Sequence, residues 1–447
     1  MRRKSLVFTI VLVVATIATL LCCLCLAGGF TWVARVPSDS TSERPAPPAA
    51  TLVLVPTSTP PPTPDPETSE RHIRILTELW HIVYEGYLYP DYNGVDWEAV
   101  GNHYYSHVSQ GLSDEDFWMT MYEMVTMLDD DHSTFLPPYA VTQEDETFSG
   151  DMTYVGIGVY AAPRLPKSYS VILAVFPDSP AEQVGLRAHD RILKVDHHPA
   201  CCRDDGSDYL YRLYGPVGTP VELIVQTPGH RARTVTLTRR RIQGTLPVET
   251  RQLERNVGYI SIPTFWDKTI VRRVRQALQD LTEQQELDGL LLDLRINSGG
   301  SDIVMEEVLA FFTHGAGDTL GRYVNRWGSI PLEIEGEDVG GSQRVPLVVL
   351  VSEETASFAE IFSGILQETE RAQIVGNTTA GNVEITYGYD FEDGSRAWIA
   401  QETFRTTSGA DWEETGIVPD VEIPIEWDEF TVEDDPQIDA ALDLLAP

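Results

Sequence analysis

Residues 6–30 are uncharged at every one of 25 positions, and beyond them the hydrophobic positions follow three successive rhythms. The uncharged run is long enough to span a bilayer core of about 30 Å. Farther along, Ile75, Leu76, Leu79, Trp80 and Val83 recur at spacings of three and four, as do Phe117, Met121, Met124, Val125 and Leu128. Such spacing predicts amphipathic helices. From about residue 150 the period shortens. Residues 154–159, 171–175 and 220–225 read as strands, and 179–185 as a short helix closed by Gly185. From about residue 257, strand-like runs (257–262, 290–294, 347–351) alternate with helix-like ones (271–281, 302–312, 359–369). That alternation predicts an α/β core. A last helix is expected over 437–445.

These rhythms divide the 447 residues into a cytoplasmic N-terminus (1–5), a transmembrane anchor (6–30), a linker (31–69), a helical domain (70–147), a mostly β domain (148–242), an α/β core (243–427) and an acidic tail with a short helix (428–447). Arg2, Arg3 and Lys4 precede the apolar run, which keeps the N-terminus cytoplasmic and exports the rest. The expected location is therefore the cell membrane, single-pass, with the domains extracytoplasmic. A signal peptide cleaved near Ala27-Gly28-Gly29 is the alternative, and it also exports the chain. The linker is rich in Pro, Ser and Thr and has little to bury, which predicts an extended, disordered tether.

Composition narrows the function. A hydrophobic content of 42% excludes wholesale disorder. Lys+Arg 32 against Asp+Glu 68 gives a net charge of −36, which repels nucleic acid. Of the five cysteines, Cys22, Cys23 and Cys25 fall in the apolar run; Cys201 and Cys202 are adjacent and read as two thiols. Neither a disulfide framework nor a metal-ligand spacing is visible, and no cofactor or metal is expected.

Three constellations carry candidate chemistry. Gly156-Ile157-Gly158-Val159 before a strand leaves amides free for a peptide carboxylate beside a sheet edge that accepts an added strand. A plain tight turn explains the quartet equally well in isolation. The run 290–300 ends in Asn297-Ser298-Gly299-Gly300, where missing side chains allow close approach and exposed amides favour negative charge. An ordinary strand-to-helix turn is the plainer reading. Thr355-Ala356-Ser357-Phe358-Ala359-Glu360 places Ser357 at a helix start, a favourable site for a nucleophile. Ser357 and Glu360 also have capping-box spacing, which helix physics alone explains.

The quartet, together with residues 177–196 and Gly215-Pro216-Val217-Gly218-Thr219, resembles a PDZ domain of the bacterial protease type. The whole ordered set adds 128–136, 258–263, 292–300, 355–360, 371–376, 393–395 and 416–421. It resembles the carboxyl-terminal processing (tail-specific) serine peptidases. The resemblance implies a ClpP/crotonase-like α/β protease core with an inserted PDZ domain and an N-terminal helical domain. It also implies Ser357 as nucleophile and an oxyanion hole from Gly299, Gly300 and Phe358.

One departure is serious. The family's general base is a lysine, and Asn382 stands in its place, with Thr386 at the following glutamine position. No lysine follows Lys268. An amide does not take a proton near neutral pH. If 382–386 is a strand, Glu384 shares a face with Asn382 and is a candidate base. His132 is the alternative base, although lysine-bearing relatives also carry a histidine there. The expected function is endoproteolysis of protein or peptide substrates whose C-termini the PDZ domain captures. A catalytically impaired tail-binding scaffold is the alternative. Membrane attachment through the N-terminal helix is expected, and oligomeric state is left open.

Overall fold

The computed structural model describes residues 65–130, 132–164, 167–201, 210–283, 285–314 and 319–445. The expected anchor at 6–30 lies outside them, as does most of the expected linker. Among the described residues no helix is long and apolar enough to cross a membrane.

Helix α1 (Pro66–Gly86) starts inside the expected linker. Asp65 accepts a hydrogen bond from Thr68 N–H at 2.9 Å, and Pro66 supplies a fixed φ where no amide donor is needed. Helices α2 (Trp97–Val108) and α3 (Asp114–Thr126) pack on it through Ile75, Leu79, Val83, Trp97, Phe117, Met121 and Met124. This cluster also takes in Ala397, Ile399 and Ala400 from the far end of the chain. Strand β1 (Thr134–Leu136) pairs antiparallel with β18 (Arg396–Arg405), Thr134 facing Trp398. The helical region is thus sewn into the core.

After α4 (Pro138–Ser149), the β domain comprises β2 (Thr153–Gly156), β3 (Val159–Arg164), β4 (Tyr169–Val175), α5 (Pro180–Gln183), β5 (Arg191–Val195), β6 (His198–Pro199), β7 (Pro220–Gln226), β8 (Arg233–Thr238) and β9 (Arg240–Gln243). Its sheet runs β3-β4-β5-β7-β8, and β2 pairs with β9. The expected strand over 154–159 is broken in two at Ile157-Gly158. Cys201 is disulfide-bonded, not a free thiol as expected.

The core sheet is ordered β10-β11-β12-β15-β16-β19: Glu249–Gln252, Val257–Ser261, Gly289–Asp293, Leu347–Val351, Gln373–Gly376 and Val421–Glu422. All its pairings are parallel except the first. Alternate residues cover its two faces. Ile260, Leu290, Leu292, Val349 and Val351 pack with α6 (Ile270–Thr282), α7 (Asp302–Leu309) and α8 (Phe358–Glu368). Tyr259, Leu291, Val348 and Leu350 pack with α9 (Pro436–Leu444). Near-continuous hydrophobic strands are what a sheet buried on both faces requires. The expected acidic tail is therefore part of the core. The second sheet combines β1 and β18 with β13 (Thr319–Asn325), β14 (Gly328–Glu333) and β17 (Glu384–Asp390).

The β domain docks on the core through Ala162, Val171 and Leu173 against Ile296, Trp427 and Phe430. Arg191 and Tyr169 reach the fully buried Asp428, at 2.6 and 2.5 Å.

Candidate active site

Ser357 sits where β15 turns into α8, with φ 55° and ψ −128°. A non-glycine residue in this region is strained by roughly 1–3 kcal/mol, and the surrounding structure must hold it there. Several contacts do so. Its N–H donates to the Asn382 carbonyl at 2.7 Å and to Glu360 Oε2 at 3.1 Å. Glu360 is fully buried and accepts three further bonds, from Thr379 Oγ1, Gly381 N–H and Asn382 N–H at 2.5, 2.7 and 2.8 Å. The expected capping box is formed, and the same carboxylate ties the 379–382 loop to the serine. Burial pushes the Glu360 pKa up while these hydrogen bonds oppose the rise.

Beneath the serine lies the glycine turn. A Cβ on Gly299 (φ 98°) would come within 2.7 Å of Ser357 Cβ and 3.1 Å of the Phe358 nitrogen. A Cβ on Gly300 would overlap the Phe265–Trp266 peptide at 2.2 Å. Both positions therefore require glycine. Gly299 N–H donates to the buried Asn297 Oδ1 at 2.8 Å, so this amide is committed and cannot serve an oxyanion. Among the described residues, no hydrogen bond takes the amides of Gly300 or Phe358.

The residues expected as bases fall together in an unforeseen way. Strand β17 starts only at Glu384, and a bulge separates Ile385 from Thr386, so the simple alternation over 382–386 does not form. Glu384 Oε1 accepts a hydrogen bond from the Tyr89 hydroxyl. Its Oε2 accepts none and lies 3.6 Å from His132 Nε2. The same nitrogen is 3.3 Å from Glu413 Oε1, and Glu413 Oε2 accepts from Val383 N–H at 2.8 Å. Asp130 fixes the histidine loop by accepting from His132 N–H at 2.9 Å and from the Ser133 hydroxyl at 2.9 Å. Burial alone would lower the His132 pKa. The Glu413 hydrogen bond and the Glu384, Glu413 and Asp130 charges outweigh it and push it up to about 9. Burial pushes Glu384 up to about 7 against the opposing pull of His132 and Tyr89.

Asn382 is buried, with its backbone against Ser357. No side chain among the described residues hydrogen-bonds the Ser357 hydroxyl. Glu413 and Tyr89 carry no sequence signal that would have singled them out; they meet His132 only through tertiary packing.

The 156–159 quartet is the break between β2 and β3. Phe176 N–H donates to Gly158 O at 3.0 Å and Ala181 N–H to Ile157 O at 2.9 Å. Gly158 has φ 83°, and a Cβ there would strike Ser179 Cβ at 2.2 Å. Strand β3 pairs with β4 along one edge.

Comparison with known proteins matches residues 256–423 to peptidase family S41, 171–227 to a PDZ domain and 72–126 to the tricorn protease C1 domain. A carboxyl-terminal-processing protease of Synechocystis is 30% identical, covering 83% of this chain and 86% of its own length. A chloroplastic carboxyl-terminal-processing peptidase of Arabidopsis thaliana is 28% identical over 78% of this chain and 68% of its own. Among solved structures, a photosystem II D1 C-terminal processing protease superposes with a TM-score of 0.58 at 26% identity, covering 79% of this chain and 93% of its own. Similarity of this extent fixes the affiliation: the chain belongs to the carboxyl-terminal-processing serine peptidases, peptidase family S41.

Proposed function

We propose that this serine peptidase is active without a lysine, with His132 as general base and Glu384 as the carboxylate that orients it. The observation that carries this reading is the 3.6 Å approach of Glu384 Oε2 to His132 Nε2, two residues from the Asn382 carbonyl that holds Ser357. The two residues weighed as rival bases then act in series. With Nε2 turned to the carboxylates, Nδ1 carries the lone pair that takes a proton. The imidazole takes the Ser357 proton as Oγ attacks the scissile carbonyl carbon. The resulting oxyanion is met by the Gly300 and Phe358 amides at the start of α8. Collapse expels the amine, which receives the proton from His132. Water, deprotonated by the same imidazole, then releases the acyl group. His132 Nε2 is hydrogen-bonded to Glu413 Oε1 at 3.3 Å, and the contacts of His132 to Glu384 and to Ser357 would close only with substrate in place.

Substrates are proteins with an accessible C-terminus. The Gly156, Ile157, Gly158 and Val159 loop takes the carboxylate and β3 takes the tail as an added strand. Residues 6–30 anchor the chain in the membrane with its folded domains outside the cytoplasm. A mature N-terminus near Gly29, found by mass spectrometry, would replace anchoring with secretion.

The catalytic test uses Ser357→Ala, His132→Ala, Glu384→Gln and Asn382→Lys on an unfolded protein substrate, with fluorophosphonate labelling as a second readout. Ser357→Ala abolishes both signals. His132→Ala lowers kcat by about 10²–10⁴. Full activity in His132→Ala rejects the assignment. Activity gained only in Asn382→Lys would make the natural protein a tail-binding scaffold. For capture, full-length protein binds a free-acid peptide more tightly than its C-terminal amide; equal affinity rejects carboxylate recognition.

A further inference from the structure

We propose that His132, Glu384 and Glu413 form a binding site for one divalent transition-metal ion, zinc by preference, which switches the enzyme off when bound. One ligand atom from each residue lies within 4.8 Å of the others. The Nε2 separations from Glu384 Oε2 and Glu413 Oε1 are 3.6 and 3.3 Å. Ligands placed tetrahedrally about one ion at about 2.0–2.2 Å stand roughly 3.3–3.6 Å apart, so little movement is needed.

Each carboxylate is already aimed. Tyr89 holds Glu384 Oε1 and Val383 N–H holds Glu413 Oε2, leaving the other oxygen of each directed at the imidazole. Such outer contacts orient ligands in metal sites. Glu384 Oε2 is a buried carboxylate oxygen that no donor satisfies, on a residue only 5% exposed. An unsatisfied charged oxygen in such a place calls for a partner. Two carboxylates and a neutral imidazole carry a charge of about −2, which a divalent ion balances. The imidazole selects zinc-like ions over calcium or magnesium. Glu413 is the most exposed of the three side chains, at 19%, and supplies the way in.

Occupancy has a direct chemical consequence. A neutral imidazole that coordinates through Nε2 carries its hydrogen on Nδ1 and has no lone pair left for the Ser357 proton. Inhibition thus rests on His132 being the base, whereas binding does not.

The test is titration of the full-length chain with cobalt(II), followed by its visible absorption, then displacement by zinc. One equivalent binds to the unaltered protein and to Ser357→Ala. Binding is lost in His132→Ala and in the milder Glu413→Gln, and Tyr89→Phe weakens it roughly 10- to 100-fold. The same spectrum and stoichiometry in His132→Ala and Glu413→Gln, or no saturable binding to the unaltered protein, overturns the site. Peptidase activity falls with one equivalent of zinc and returns with a chelator. Binding at these residues without inhibition upholds the site but overturns the switch and the assignment of His132 as base.

Discussion

Asn382, which stands where the resemblance places a lysine, offers no proton acceptor, but its backbone still carries the two hydrogen bonds that hold Ser357 and Glu360. On the proposed mechanism the work of accepting the proton moves to His132, whose two carboxylate neighbours push its pKa up. This sets a pH profile. An imidazolium cannot accept a proton, so a histidine with a pKa of about 9 is mostly unavailable at neutral pH. In the presence of a chelator, kcat/KM should rise about tenfold per pH unit below about 9 and level off above it. Glu413→Gln removes one of the charges that raise the pKa, so its acid limb should move to lower pH. A limb at the same pH in both proteins would show that another group titrates.

At the scale of elements, much of the architecture is written in local pattern. The 3.6-residue rhythm marks α1 and α3, and the fully apolar runs mark the central parallel strands. The Gly-Gly turn and the serine before a helix are equally local signals. The base was legible only as a pair of rivals. Its pairing depends on where β17 begins and on a bulge one residue later, and hydrophobic alternation reports neither. Glu360 shows the same divide. Its capping role is a matter of spacing three, but its bonds to Thr379, Gly381 and Asn382 come from a loop the chain reaches only after β16. Substituting Glu360→Gln turns an amide NH₂ toward buried donors, at a cost of about 1–3 kcal/mol for each donor left unpaired. Lower thermal stability and lost activity should appear together. Loss of neither would show that the 379–382 loop is held by other contacts.

Across the whole molecule, the PDZ domain is fastened to the chain's C-terminal region by a histidine that must stay neutral. His189 is buried against Trp427 and Phe430, and its Nδ1 lies 2.7 Å from the Trp427 carbonyl. Burial lowers its pKa from 6.5 to about 4. The unfolded chain therefore binds this proton more readily than the native one. The stability this group contributes is intact above about pH 6.5 and is lost as pH falls toward 4. Between about pH 7.5 and pH 5 the loss amounts to about 2 kcal/mol. His189 has φ 74°, which Asn also accepts, so the His189→Asn variant should lose less stability over that interval in thermal unfolding. An equal loss would place the acid sensitivity elsewhere.

The seam between the helical region and the core also governs when the enzyme can first work. His132 is translated early and Glu384 and Glu413 late, yet they meet in one place, beside the Asn382–Val383 backbone that holds Ser357 and Glu413. A nascent chain still on the ribosome has the histidine but lacks the carboxylates that tune it and the serine it serves. Such a chain is harmless to its neighbours while it is being made, and it becomes a protease only once its two ends have closed on each other.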